Sequence, residues 1–391
     1  MSEILVNTIK KADGTGSITV PAETGTVVTT AAGSVEGAMT TQIGGRRNLI
    51  INGALTISQR GSDINNVDNG GYTADRFKLT KSNLDELAID YDQVADAPAG
   101  FSKSLKMTIA TPETTLNANE QAVIRHIIEA QDLQHLNYGT SDAVACTLTF
   151  YVKGSMTGTY ALSLYQEGGD KLFVANYTVS SANTWEQKTI SIPANTIGAF
   201  NTGNGSGLSL LWWLSAGSDY LADNSALNTW TSYASNKYAY GHDVSFITNS
   251  GATWQITGVQ LEVGSIATPF EHRSYGEELA ACQRYFCKIK HDGSYRNSIC
   301  VICNHNDITH YGVYHFPVTM RSAPTGIVLA GTYRAYPGGA GTNFSESAIS
   351  VNIFSPESVR VALASSGGEV GDAHWLECYL SGSGLLFDAE L

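Results

Sequence analysis

From residue 48 onward the chain is a succession of short alternating apolar runs, broken by Gly, Asn, Asp, Ser and Pro. That rhythm leaves few folds open. Apolar side chains that recur at every second residue bury one face of a strand, whereas a helix repeats at about 3.6 residues. Such runs fall at residues 49–57 (interrupted by Asn52-Gly53), 105–109, 145–152, 159–165, 172–179, 184–192, 207–214, 244–247 and 253–263. Strands of this length and spacing predict a sandwich of antiparallel sheets. Val123, Ile127 and Ile128 also suit a helix, but the β-branched content of residues 122–128 decides for a strand.

The period changes at residues 275–286. Leu279, Cys282, Gln283 and Phe286 fall at helical spacing behind Glu277 and Glu278, acids placed where the helix dipole favours them. A helix this short must pack on something. Strand signals return at 298–303, 308–316, 326–331, 349–354, 359–364 and 375–380, which reads as a second β domain. No repeat with a period of about 20–50 residues is present, which argues against a solenoid or propeller.

Residues 1–45 are of another kind. Ile4, Val6, Ile18 and Val20 alternate around Asp13-Gly14, a hairpin signal. The stretch Gly25-Thr-Val-Val-Thr-Thr-Ala-Ala-Gly33 is too poor in large side chains to build a core of its own. Its stability is expected to come from other chains or a larger assembly.

Composition narrows the function. Only 15% of residues are charged, 39 of 391 are Gly, and the net charge is −13. A nucleic-acid binder would show a basic surplus, and a helix bundle would be rich in Ala, Glu, Lys and Leu. The N-terminus MSEILVNTIKKADGTG carries no secretory signal, and no apolar run approaches the roughly 18 residues of a membrane span. Synthesis in a cytoplasm, without membrane insertion, is expected. Six cysteines in 391 residues are not a disulfide scaffold.

Catalytic and metal chemistry finds little footing. Cys300-Val-Ile-Cys303 is a single CxxC whose thiols would face opposite sides of a strand, as would His310 and His315. Core thiols are the preferred reading, and no metal or cofactor is expected. No nucleophile elbow, Walker loop or H-E-x-x-H is present. Glu262 and Glu271 are expected to pair with Arg273 or to cap backbone groups. The aromatics carry more. Trp212, Trp213, Trp230, Tyr233, Tyr238 and Tyr240 cluster, and Tyr333, Tyr336 and Trp375 stand in the last domain. Exposed rings of this kind stack on pyranose faces while neighbouring polar groups bond the hydroxyls. The competing reading, core packing, is favoured for any single ring. Adjacent Trp212 and Trp213 must face opposite sides, so one is expected in the core and one outward, possible cover for the latter being a neighbouring subunit. Trp230, Tyr233, Tyr333, Tyr336 and Trp375 are the candidate binding residues.

Several blocks resemble a family of bacteriophage tail-fibre and receptor-binding proteins, common in phages of aquatic bacteria, cyanobacteria among them. They are Arg46-Arg47-Asn48-Leu49-Ile50-Ile51-Asn52-Gly53 with Ser58-Gln59-Arg60-Gly61, Tyr72-Thr73-Ala74-Asp75-Arg76-Phe77, and Ile128-Glu129-Ala130-Gln131-Asp132-Leu133 with Thr147-Leu148-Thr149-Phe150-Tyr151-Val152-Lys153-Gly154. Others are the stretch beginning at Trp185 and ending at Pro193, Ile256-Thr257-Gly258-Val259-Gln260-Leu261-Glu262-Val263-Gly264 through Thr268-Pro269-Phe270-Glu271-His272-Arg273-Ser274, and Phe316-Pro317-Val318-Thr319-Met320-Arg321. The resemblance spans about residues 1–325; residues 326–391 match it loosely. It implies a homotrimer, attached to other virion tail or capsid proteins through residues 1–45. It further implies a jelly-roll sandwich at 46–272 similar to carbohydrate-binding modules and a distal β domain at 287–391; the helical joint at 273–286 between them is expected either to pack on its own sandwich or, the preferred reading, to meet its copies around a threefold axis. The expectation is an all-β chain with an N-terminal attachment hairpin, working in the virion as a non-enzymatic tail fibre that binds host cell-surface polysaccharide. The alternatives are a structural fibre or adaptor without a receptor role, and a polysaccharide depolymerase.

Overall fold

Most of the alternating runs become strands, but residues 49–57 run as turn and coil and the run at 244–247 ends in a 3-10 turn, Phe246–Thr248. The computed structural model describes residues 46–72, 74–84, 86–291, 293–294, 296–306, 308–336, 341–365 and 369–391. The hairpin and attachment segment expected at 1–45 lies outside the described residues. Residues 46–391 form one unit, built as two successive sandwiches.

Strands are numbered along the chain. The first sandwich has a six-stranded sheet in the order β1 (Phe77–Ser82), β4 (Gln121–Glu129), β9 (Ser206–Ala216), β6 (Gly158–Gln166), β7 (Lys171–Val179), β10 (Thr231–Ser232). Facing it is a five-stranded sheet in the order β2 (Ala88–Val94), β3 (Ser104–Thr111), β11 (Thr253–Val263), β5 (Cys146–Gly154), β8 (Glu186–Ile192). All pairings within both are antiparallel. The chain crosses repeatedly between sheets, as a jelly roll does. Inward residues of period two, among them Phe77, Leu162, Leu210 and Trp212 on one sheet and Tyr91, Met107, Phe150 and Trp254 on the other, fill the space between. Each such side chain contributes about 1.5–3 kcal/mol by leaving water.

Trp212 and Trp213 do face opposite sides, but both are fully buried. The outward ring of Trp213 is covered by the chain itself. The excursion between β9 and β11 folds back over the six-stranded sheet, laying Ala239, Tyr220 and Tyr238 against Trp213. The cover is therefore internal, and the indole Nε1 donates to Ser163 Oγ at 2.8 Å.

The helix α1 (Tyr275–Gln283) is shorter than its sequence signal, because Phe286 already opens the next strand. Ser274 and Glu277 cap it reciprocally. Its inward side chains dock on its own sandwich, while Tyr275 and Glu277 face outward. Glu278 accepts the Asn52 backbone N–H at 2.5 Å and pairs with Arg273 at 3.2 Å, and Cys282 is buried. Asn48 binds β11 through Val259 O and Leu261 N, and Glu271 accepts Asn48 N at 2.8 Å. Gly53 packs so tightly that a Cβ there would lie 2.1 Å from Val259 O. The motif-rich blocks at 46–61 and 256–278 are thus two halves of one interlock.

The second sandwich follows directly. A three-stranded sheet, β12 (Phe286–Lys290), β21 (Gly384–Asp388), β15 (Thr325–Leu329), packs on a seven-stranded one. The latter runs β17 (Thr342–Ser345), β16 (Thr332–Tyr336), β20 (Ala373–Cys378), β13 (Asn297–Asn306), β14 (Thr309–His315), β19 (Ser358–Ala364), β18 (Ile349–Phe354). Cys287, Ile289, Leu385 and Phe387 meet Ile302, Tyr333, Val361 and Leu376 in its core. The two sandwiches are joined by charge. Arg284 binds Glu129 with two bonds of 2.7 and 2.8 Å. Arg76 pairs with Glu390 and lies over the Tyr285 ring, while Arg60 lies over Phe286 and reaches Asp388 at 3.0 Å.

Candidate functional site

The outer face of the seven-stranded sheet is where large rings meet solvent. Period two turns Tyr333, Ala335, Leu376 and Cys378 into the core, so Arg334, Tyr336, Trp375 and Glu377 point away from it. Tyr336 and Trp375 are direct cross-strand partners, and Val301 lies opposite Trp375 on the other side. Trp375 is 54% exposed and Val301 57%. An exposed indole beside an exposed valine makes a local apolar strip, the kind of contiguous surface that contacts use.

Polar groups frame this apolar strip. Trp375 Nε1 donates to Ser298 Oγ at 3.0 Å, which holds the indole along β13. Tyr336 donates its hydroxyl proton to Glu377 Oε1 at 2.9 Å and accepts from Arg296 at 3.3 Å. The Arg334 guanidinium lies over the Tyr379 ring, 3.3 Å from its centre, and donates from Nε to Asn343 Oδ1 at 2.7 Å. Arg296 approaches the same Tyr379 ring at 4.3 Å. The rings are thereby held rather than free to turn, and the face combines two aromatic surfaces with amide, hydroxyl, carboxylate and guanidinium groups. That is the chemistry of sugar recognition: C–H faces against rings, hydroxyls against directional partners.

Of the sequence-predicted residues, the structure brings Tyr336 and Trp375 together and places the other three elsewhere. Tyr333 is fully buried, its hydroxyl held between the carbonyls of Leu329 and Gly384. Trp230 is nearly buried at the edge of the first core, against Tyr138 and Phe173, with Nε1 donating to Pro193 O at 2.8 Å. Neither ring has a face left for a sugar. Tyr233 is half-buried on the outer side of the six-stranded sheet, with ring centres 4.9 Å from Tyr165 and 5.3 Å from Tyr238. Arg296, Ser298, Arg334, Glu377 and Tyr379 were not singled out by sequence. The alternations Arg334-x-Tyr336 and Trp375-x-Glu377 were the available signal, since each puts a charge and a ring on one face.

Of the two thiols expected in the core, Cys303 is not there. Cys300 packs against the second core and Cys303 is exposed, on opposite faces, and burial pushes the Cys300 thiol up to about 12. No group of three His, Cys, Asp or Glu side chains converges as for a metal among the described residues. Glu262 accepts from Thr268 N and Gln260 Nε2, and Glu271 caps Asn48; Arg273 pairs with Glu278 instead.

No family model matches the sequence, and no curated protein does. Among solved structures, the chain is similar to the enzymatically active domain of bacteriophage CBA120 tailspike protein 4, at TM-score 0.29 and 13% identity. That match covers 51% of this chain and only 21% of the tailspike chain. A family 11 carbohydrate-binding module from Clostridium thermocellum matches at TM-score 0.27 and 6% identity, over 54% of this chain and 100% of the module. A xylan-binding domain of family 22 matches at 0.27 and 9%, over 54% and 99%. At scores and identities this low, none of these likenesses bears on what the chain binds.

Proposed function

We propose that this chain is a non-enzymatic receptor-binding arm of a bacteriophage tail fibre. It works as a homotrimer, attached to the virion through residues 1–45 and holding host cell-surface polysaccharide on the outer face of its last sheet. The observation that carries the glycan reading is the Trp375–Tyr336 pair, an exposed indole beside a half-buried phenol, framed by Ser298, Glu377 and Arg334. The sequence blocks that resemble tail-fibre proteins support the virion setting. A single such face binds weakly, and three per fibre raise the apparent affinity by about 10²–10⁴ through effective concentration.

Adsorption competition tests it. Purified full-length protein should bind host cells and block phage attachment. Trp375→Ala should weaken cell binding about 30-fold or more, as loss of a central aromatic contact does, with the melting temperature unchanged. Equal blocking by the Trp375→Ala variant overturns this face as the adhesive surface. Release of reducing ends from host polysaccharide would instead make the protein a depolymerase.

A further inference from the structure

We propose that His310, His374 and Asn304 bind a divalent transition metal of the zinc type inside the second sandwich. The inference goes beyond the glycan-binding reading and does not rest on it.

The three residues stand on adjacent strands at one end of the seven-stranded sheet. Asn304, near the end of β13, is the cross-strand partner of His310 at the start of β14. On the other side of β13, His374 near the start of β20 pairs with Ile302, which shares a face with Asn304 two residues on. All three turn inward and are buried, with exposures of 2% for Asn304 and His310 and 8% for His374. The two imidazoles reach across β13 until their ring centres are 4.7 Å apart, with the planes at 76°.

Five polar atoms in this cluster have no hydrogen-bond partner: Asn304 Oδ1 and Nδ2, both ring nitrogens of His310, and His374 Nε2. They are five of thirteen such atoms among the described residues, gathered on three neighbouring side chains. Buried donors and acceptors are almost always paired, so this concentration points to one ligand held by all three. The donor set selects which. Neutral imidazole nitrogens and an amide oxygen suit zinc and its first-row neighbours, whereas calcium and magnesium take oxygen ligands. The spacing agrees: with metal–nitrogen bonds of about 2.1 Å, two imidazoles on one ion have ring centres about 4.5–5.5 Å apart.

Burial, and next the His374 ring, hold His310 below its ordinary value, while the Leu363 carbonyl and Asp372 act the other way. The ring is therefore neutral at neutral pH, as a ligand must be. Leu363 is the partner of His310 on β19, and its carbonyl is near the ring but outside hydrogen-bonding geometry. It suits the second nitrogen, since a ligating imidazole characteristically gives its remaining N–H to such an acceptor. Asp372 supplies negative charge nearby. Two histidines and one amide leave a coordination position for water, as zinc sites with three protein ligands do. The ion would tie β14, β13 and β20 together, and would brace the strand that carries Trp375 on its opposite face.

The test uses full-length protein stripped of metal by a chelator and titrated with Zn²⁺ in a calorimeter. One ion per chain should bind, and Zn²⁺ should raise the melting temperature. His310→Phe and His374→Phe each keep a ring in place and remove unpaired polar atoms, so the metal-free fold should persist. Each should lower zinc affinity at least about 10-fold, no less than loss of an outer-shell partner does. Asn304→Ala should lower it as well. His305→Gln/His315→Gln alters exposed histidines of the same two strands and should bind as the parent does. Zinc-soaked crystals of the parent, which need no variant to fold, should show an anomalous peak between His310 and His374. Absence of binding, undiminished binding in any of the three ligand variants, or a peak only at the exposed histidines overturns the inference. None of these outcomes bears on the glycan-binding face.

Discussion

His242 shows how one buried side chain sets a response to acid. Its Nδ1 accepts from Ala161 N at 3.2 Å and its Nε2 donates to Val244 O at 2.7 Å, which requires the neutral ring with the proton on Nε2. Burial holds its pKa down at about 4, against an ordinary 6.5, and burial likewise holds His126 at about 3. Between 6.5 and 4 the unfolded chain therefore binds a proton at His242 that the native chain refuses. Stability then falls as pH falls, by up to about 1.4 kcal/mol per unit of pH for each such histidine. Asp75, pushed up by burial, works in the opposite sense above its ordinary 3.8 and offsets part of the loss. Calorimetric melting should decline from pH 6.5 towards 4.5, and His242→Gln should show a shallower decline from a lower starting point. A second residue-scale expectation concerns Tyr238, which roofs Trp213. Tyr238→Ala should cost about 3 kcal/mol in urea unfolding, as large-to-small changes at buried aromatic contacts do.

At the scale of elements, charge at the joint is the feature most open to test. Arg76 is buried, stacked on Tyr285 and paired with Glu390, and Arg60 reaches Asp388 and Glu390 from the same side. Removing one member of a buried pair leaves the other uncompensated, typically at about 3–5 kcal/mol. Glu390→Gln should therefore lower stability by that order in denaturant titrations. The double replacement Arg76→Met/Glu390→Leu should recover much of it, because it removes both charges at once. Strands were legible in sequence because period-two alternation is a local property, and the runs at 145–152, 172–179 and 253–263 appear as β5, β7 and β11. The cover over Trp213 was not, because the excursion between β9 and β11 has no period and acts through contacts far along the chain. The docking of α1 was equally hidden: Glu278 meets Asn52, 226 residues away.

For the whole molecule, the candidate face was half legible. Tyr333 and Tyr336 are three apart in one strand, so alternation already forbids both from meeting the same ligand, and the structure shows which one is inside. Which sheet lies opposite which, and hence which face stays bare, is a property of the complete topology that no local run encodes. The bareness of this face also sets an expectation for assembly. On the proposed trimeric arrangement, protein lacking residues 1–45 should keep the affinity of a single face for soluble oligosaccharide, yet lose about 10²–10⁴ in apparent affinity for cells, because three faces would no longer be presented together. Ultracentrifugation alongside cell binding checks it; undiminished avidity in a monomeric truncated chain would refute the trimeric arrangement.

The burial of the other indoles gives the exposed one an optical signature. Trp212, Trp213 and Trp254 are sealed from water, Trp230 nearly so, and Trp185 is half-covered, leaving Trp375 as the most exposed of the six. Iodide should quench chiefly the red edge of the emission, and that fraction should vanish in Trp375→Phe. A saccharide seated on the ring would shield it and shift the spectrum to the blue, so occupancy of this single surface can be followed by light without any label.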